Sequence, residues 1–142
     1  MRVFALALMI LFLPVSASAA DIAATCYDAC ENSTSSNPEF KACLSRAADA
    51  ADAKLNEGYK ALRAAVRRAG KEMGQAPDIQ LSTLTAAHKK WIAYRDENCT
   101  FEDELAFGRT SIGGNYSACL CALSLERAED FARIRKRVLF GE

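Results

Sequence analysis

Six cysteines and one histidine are the residues of this 142-residue chain with the most chemistry to offer. Cys26-x-x-x-Cys30 and Cys119-x-Cys121 are spaced so that thiolates could hold zinc or copper, with His88 as a nitrogen donor. Such a site would also need carboxylates, because the chain has no second imidazole. Oxidation is the competing chemistry, since an even number of cysteines in an exported chain pairs into disulfides. Nucleophile elbows, phosphate-cradling glycine loops and His-Glu-x-x-His helices are missing from the sequence. The acids are numerous, but nothing singles out a pair for glycan cleavage. The chain therefore reads as a binding protein and not an enzyme, with no cofactor and no metal.

Three stretches could form a binding surface. Trp91, Tyr94 and Arg95 fall within one helical turn, with Asp96 beside them and Arg127 as a distant neighbour. Trp, Tyr and Arg are favoured interface anchors. At helical spacing, however, aromatics usually pack inward, so the preferred reading is a core aromatic beside an internal Arg–carboxylate pair. Asn56, mid-helix after Leu55, reads as an internal hydrogen-bonding residue. The acidic run Asp96, Glu97, Glu102, Asp103 and Glu104 would attract a basic partner at low salt, or serve as an ordinary solvated helix face. In the glycine-flanked segment 109–115, Arg109, Thr110, Ser111, Ile112 and Asn115 make either a braced insertion loop or a plain connector.

The elements that must position these residues are helices. Asn37-Pro38-Glu39 predicts a helix start with Asn37 as the cap. From there apolar or small residues recur in steps of three and four: Phe40, Leu44, Ala47/Ala48, Ala51, Leu55, Tyr59, Leu62, Val66 and Ala69. Gly58 interrupts that stripe at a cost of about 1 kcal/mol relative to Ala, and Gly70, Gly74 and Pro77 end it in a turn. A second helix starts near Asp78 or Ser82 and runs through Leu84, Trp91, Tyr94 and Cys99 toward Leu105. A third carries Tyr116, Cys119/Leu120, Leu123, Arg127, Phe131 and Ile134 on one side. No run alternates with period two. The expected fold is all-α, an antiparallel bundle of about three long helices. Alanine-rich stripes make a thin core that disulfide staples would reinforce.

Residues 1–20 read as a signal peptide: Arg2, an apolar run from Val3 to Leu13, Pro14, then Ala17-Ser18-Ala19 before cleavage. The run is too short for an anchor, and no second apolar stretch follows, so no membrane insertion is expected after cleavage. Residues 21–142 are then one domain, periplasmic or secreted, with all six cysteines. The chain's 18 basic and 18 acidic residues balance, and removal of Arg2 leaves the domain at 17 against 18, unlike the strongly basic domains that bind nucleic acid.

Taken together, these residues resemble the LprI-type lysozyme-inhibitor family of small exported bacterial proteins. The resemblance rests on Leu55-Asn56-x-x-Tyr59 after Cys30 and Cys43, and on Trp91-Ile92-x-Tyr94-Arg95-Asp96-x-x-Cys99. Gly113-Gly114 and Cys119 with Arg127 eight residues later complete it. The resemblance implies a helical, disulfide-bonded domain whose partner is a protein, a lysozyme, and whose activity is inhibition. Steric occlusion of the cleft, with Glu102, Asp103, Glu104 and the 109–115 loop in contact, is the expected mechanism. A structural or adaptor protein of the envelope is the alternative. His88 stands where the family commonly has Gln, and Cys26 and Cys121 are additional to its four usual cysteines. The extra pair implies a Cys26–Cys121 bridge, leaving Cys30 with Cys43 and Cys99 with Cys119.

Overall fold

The computed structural model describes residues 26–105, 107 and 114–141. The expected signal peptide and four loop residues, Arg109, Thr110, Ser111 and Ile112, lie outside the described residues. A short helix α1 covers 26–31, followed by α2 (Asn37–Glu72), α3 (Asp78–Glu104) and α4 (Gly114–Phe140). No strand occurs among the described residues, so the fold is all-α.

The cap of α2 sits one residue earlier than Asn37. Ser36 is in the extended conformation, and its hydroxyl accepts from the Glu39 amide at 3.4 Å. The Glu39 carboxylate reaches back to the Ser35 amide at 3.1 Å and the Ser35 hydroxyl at 2.9 Å. Such Ser-x-x-Glu pairing satisfies amides that the helix itself cannot, which is why Ser36 displaces Asn37 as the cap. The Ser35 amide and hydroxyl hold the Glu39 carboxyl below its usual pKa. At the other end the chain folds back so tightly that a Cβ on Gly70 would lie 3.0 Å from the Gln75 carbonyl oxygen. Gly74 then takes a φ of +66°, which L side chains rarely adopt.

Helices α2 and α4 run parallel and in close contact. Ala48 and Ala51 pack with Cys26 and Cys121, while further along Leu55 and Leu62 pack with Phe131. Within the second cluster the two backbones approach closely: a Cβ on Gly58 would lie 3.4 Å from the Ala128 carbonyl oxygen. Helix α3 runs antiparallel to both, as the Asp52–Arg95, Tyr59–Thr85 and Cys99–Cys119 contacts show. It touches α2 only through long side chains. Of its residues, only His88, Arg95 and Cys99 are buried. Tyr94, expected inside, is 58 % exposed. The inward face is displaced by one residue, because the side chain that fills it is the charged Arg95.

Three disulfides join these pieces: Cys26–Cys121, Cys30–Cys43 and Cys99–Cys119. The first spans 95 residues and ties α1 to α4, so in the chain-entropy description it restricts the unfolded chain most, by about 4–5 kcal/mol. The last fastens the end of α3 to the start of α4, on either side of the loop.

The close approach at Gly58 is testable. A methyl at this position would make ordinary contact with Ala128 and Phe131. Gly58→Ala is expected to leave the melting temperature unchanged or raise it by a few degrees, since Ala gains up to about 1 kcal/mol of helix propensity. Gly58→Leu is expected to destabilise by about 1–3 kcal/mol through overpacking, read by thermal or denaturant unfolding.

Candidate protein-binding site

The motif residues meet where the three long helices cross. Arg95, on α3, reaches into the seam with α2 and α4. Its Nη1 donates to Asp52 Oδ1 at 2.8 Å and to Ser124 Oγ at 2.9 Å, and its Nε donates to Asp96 Oδ1 at 2.9 Å. Burial alone would lower the pKa of this guanidinium, but the hydrogen bonds and charges of Asp52 and Asp96 raise it above its ordinary value. Asn56, one turn after Asp52, donates to both its carbonyl and its carboxylate at 2.9 Å. The Asn of Leu55-Asn56-x-x-Tyr59 thus holds in place the acid that receives Arg95.

An aromatic stack continues the seam. His88 lies 4.3 Å from the Tyr59 ring centroid, parallel to the Trp91 ring at 6.3 Å, and edge-on to Phe131 at 5.4 Å. Arg127 covers the rings of Phe131 at 4.8 Å and Trp91 at 5.7 Å and pairs with Asp130 at 3.4 Å. Tyr59 donates to Thr85, and Arg63 donates to both of those hydroxyls. No hydrogen-bond partner for His88 Nδ1 or Arg127 Nε is found among the described residues. Guanidinium charge on an aromatic face keeps much of its attraction without hydrogen bonds, which accounts for Arg127. Leu55, Tyr59, Trp91, Arg95, Asp96 and Arg127 are therefore brought together as a structural seam, with Asn56 at its exposed edge and Tyr94 turned to solvent.

The acidic run lies at the end where α2 and α4 begin and α3 finishes. Asp103 is not a free acid there, because its Oδ1 accepts the Tyr116 amide in the first turn of α4 at 3.2 Å. Glu102 is exposed and accepts from Asn98 at 2.9 Å, and Glu104 is exposed. Asn115, expected in the loop, is in the first turn of α4. The helix starts this early because the Asp103 carboxylate is available to its free amides. An open groove of about 700 Å³ runs along this end, with Asp28, Glu102 and Glu126 among its acids and Tyr27, Leu105, Asn115 and Leu123 on its walls. Sequence reasoning missed Tyr27, Asp28, Leu123 and Glu126. Only their position around the Cys26–Cys121 bridge brings them to the groove.

The acids are part of a larger asymmetry. Cut across its middle, the described bundle divides into 26–54, 92–107 and 114–127 at one end, and 55–91 and 128–141 at the other. The first set holds eleven acidic and five basic residues, and the second holds five acidic and eleven basic. No three His, Cys, Asp or Glu side chains among the described residues are grouped to hold a metal ion, and no cysteine is free.

Two measurements test the seam. Burial holds the His88 imidazole below its ordinary pKa, and the Arg127 and Arg95 charges act in the same direction against a weaker opposing pull from Asp52. The unfolded chain therefore takes up this proton first, and stability is expected to fall as pH drops below about 6.5. His88→Gln is expected to flatten that slope below about pH 6.5, measured by unfolding at stepped pH. Asp52→Ala is expected to cost about 1–2 kcal/mol, the contribution of a charged hydrogen bond reduced by solvent at a half-exposed acid. In that background Asn56→Ala should add almost nothing, because the group it steadies is gone.

Comparison with known proteins agrees with this arrangement. The sequence pattern of the family described as lysozyme inhibitor LprI matches residues 28–131, which contain the whole seam and five of the six cysteines. An uncharacterized protein of Rhizobium meliloti (strain 1021) is 29% identical over 102 residues, covering 70% of this chain and 73% of that protein. No solved structure matches significantly. The chain belongs to the LprI lysozyme-inhibitor family.

Proposed function

We propose that this protein inhibits a lysozyme-type muramidase by docking its acidic end over the glycan cleft. The observation that carries the reading is the concentration of eleven acidic against five basic residues at the end holding the open groove. Lysozymes are generally basic, so this end would draw the enzyme in by long-range attraction, and the groove walls Tyr27, Leu105 and Leu123 supply apolar contact. Arg109, Thr110, Ser111 and Ile112 lie in sequence between Phe107 and Gly114 and are part of the proposed contact with the enzyme. The Cys99–Cys119 bridge fixes the helices before and after them, and a preorganised surface loses less entropy on binding.

Three bridges need an oxidising compartment, which agrees with removal of residues 1–20 on export to the periplasm or beyond. The family is one of inhibitors, not enzymes, and inhibition requires of this chain only a shaped, charged surface.

A cell-wall lysis assay with oxidised protein and lysozymes of several types tests the proposal. Slowed clearing at micromolar excess is expected, weakening as salt rises. Glu102→Gln, Glu104→Gln and Glu126→Gln together are expected to reduce inhibition about tenfold, chiefly through the association rate. Asp103 is left unchanged in that variant, because it caps α4. Undiminished lysis by every lysozyme type, with the bridges verified intact, would reject inhibition in favour of an envelope adaptor.

A further inference from the structure

The opposite end of the bundle carries the reverse charge and a second set of exposed apolar side chains. Here α2 finishes, α3 begins and α4 finishes. Met73 is 64 %, Ile79 78 % and Phe140 72 % exposed, and all three belong to this end. Beside them an apolar hollow of about 400 Å³ is lined by Val66, Ala69, Met73, Pro77 and Val138 among others. Cations adjoin two of the three tips: Arg67, Arg68 and Lys71 precede Met73, with Arg68 paired to Glu72, and Arg135, Lys136 and Arg137 precede Phe140, while Ile79 follows Asp78. Around the corner, the groove between α2 and α3 measures about 540 Å³ and is lined by Arg63, Arg67 and Lys89 against a single acid, Asp78, with the hydroxyl residues Ser82 and Thr85. Arg63 is steadied there by two hydroxyls, not by a carboxylate, so its charge stays available. Neither it nor Arg67 nor Lys89 pairs with an acid among the described residues. The Tyr59 hydroxyl at the edge of this groove registers the field: burial alone would raise its pKa, yet its bonds to Thr85 and Arg63 and the charges of Arg63 and Lys89 lower it.

We infer that this end docks on an anionic phospholipid surface, with Met73, Ile79 and Phe140 dipping into the headgroup boundary and the surrounding Arg and Lys meeting lipid phosphates. Apolar side chains that protrude singly suit a deformable lipid interface better than the rigid pocketed surface of a protein, and a cationic rim selects anionic lipid. The acidic end fixes the orientation, because an anionic surface repels it and leaves it facing outward. Attachment would be peripheral, as no helix among the described residues is long and apolar enough to cross a membrane. The inference stands apart from inhibition, which uses the other end and is read without lipid.

Co-sedimentation of the oxidised protein with vesicles tests it. Binding is expected to vesicles of phosphatidylcholine containing about a quarter phosphatidylglycerol, and to be lost on phosphatidylcholine alone and at about 0.5 M salt. Met73→Ser, Ile79→Ser and Phe140→Ser together, all at exposed positions, are expected to weaken partition about tenfold or more. Arg135→Gln, Lys136→Gln and Arg137→Gln together should do the same. Both variants should keep wild-type helicity and lysis inhibition. Equal binding to neutral vesicles, no binding to anionic ones, or either variant binding as wild type would overturn the inference. Light scattering at low salt covers a remaining occupant: an oligomer that the three Gln substitutions dissociate would assign this end to a second copy of the chain and overturn lipid docking.

Discussion

Ala48, Ala51 and Gly58 present so little side chain to Cys121, Ala122 and Ala128 that α2 and α4 can lie almost backbone to backbone, and the rest of the molecule follows from that contact. Close approach of this kind gains dispersion along the whole seam but removes little apolar surface from water. Leu55, Leu62 and Phe131 supply a fully buried cluster, and Val66, Ile134 and Val138 extend it toward the end where α2 and α4 finish. The other end of the helix pair, packed mainly by alanines, draws on a further constraint. At the α1 end that is covalent: Cys26–Cys121 and Cys30–Cys43 replace what leucines would do in a thicker core.

Helix α3 inherits the consequence. With two helices already pressed together, the groove they leave offers it no deep apolar socket, and it docks through Arg95, His88 and Cys99. A buried ion pair of this sort adds little net stability over an apolar equivalent, because desolvation offsets most of the attraction. Register is what it fixes. Arg95 meets Asp52 on α2 and Ser124 on α4 at once, and a slide of α3 by one turn would leave a buried guanidinium without either. Cys99–Cys119 closes the same helix one turn further on, so polar and covalent constraints agree on a single position.

Legibility in the sequence tracks this division of labour. The α2 stripe read from Leu44, Ala48, Ala51, Leu55 and Leu62 is buried as its period requires, because apolar burial is what period detects. On α3 the same reasoning expected a core aromatic beside an internal Arg–carboxylate pair, and Arg95 is inside with Asp96 as one partner, whereas Tyr94 is in solvent. The other partners of Arg95, Asp52 and Ser124, sit 43 and 29 residues away, and only tertiary contact reveals them. The cysteine count pointed to staples, yet spacing alone left fifteen pairings open. Asp103 looked like one more surface acid until α4 was placed beside it, where it caps a helix 13 residues on.

Net charge hid the feature with the most bearing on function. Equal totals of acidic and basic residues suggested an electrostatically quiet protein, but α3 carries its acids in its last turns while α2 and α4 carry their cations in theirs. An antiparallel α3 places its acidic end beside the charge-balanced starts of α2 and α4, so the three helices add instead of cancelling. Had α3 run parallel to the others, its acids would have neutralised Arg135, Lys136 and Arg137. Topology thus converts a balanced composition into a molecule with two oppositely charged faces. A muramidase at one and a lipid surface at the other would then act on the same chain without competing for it.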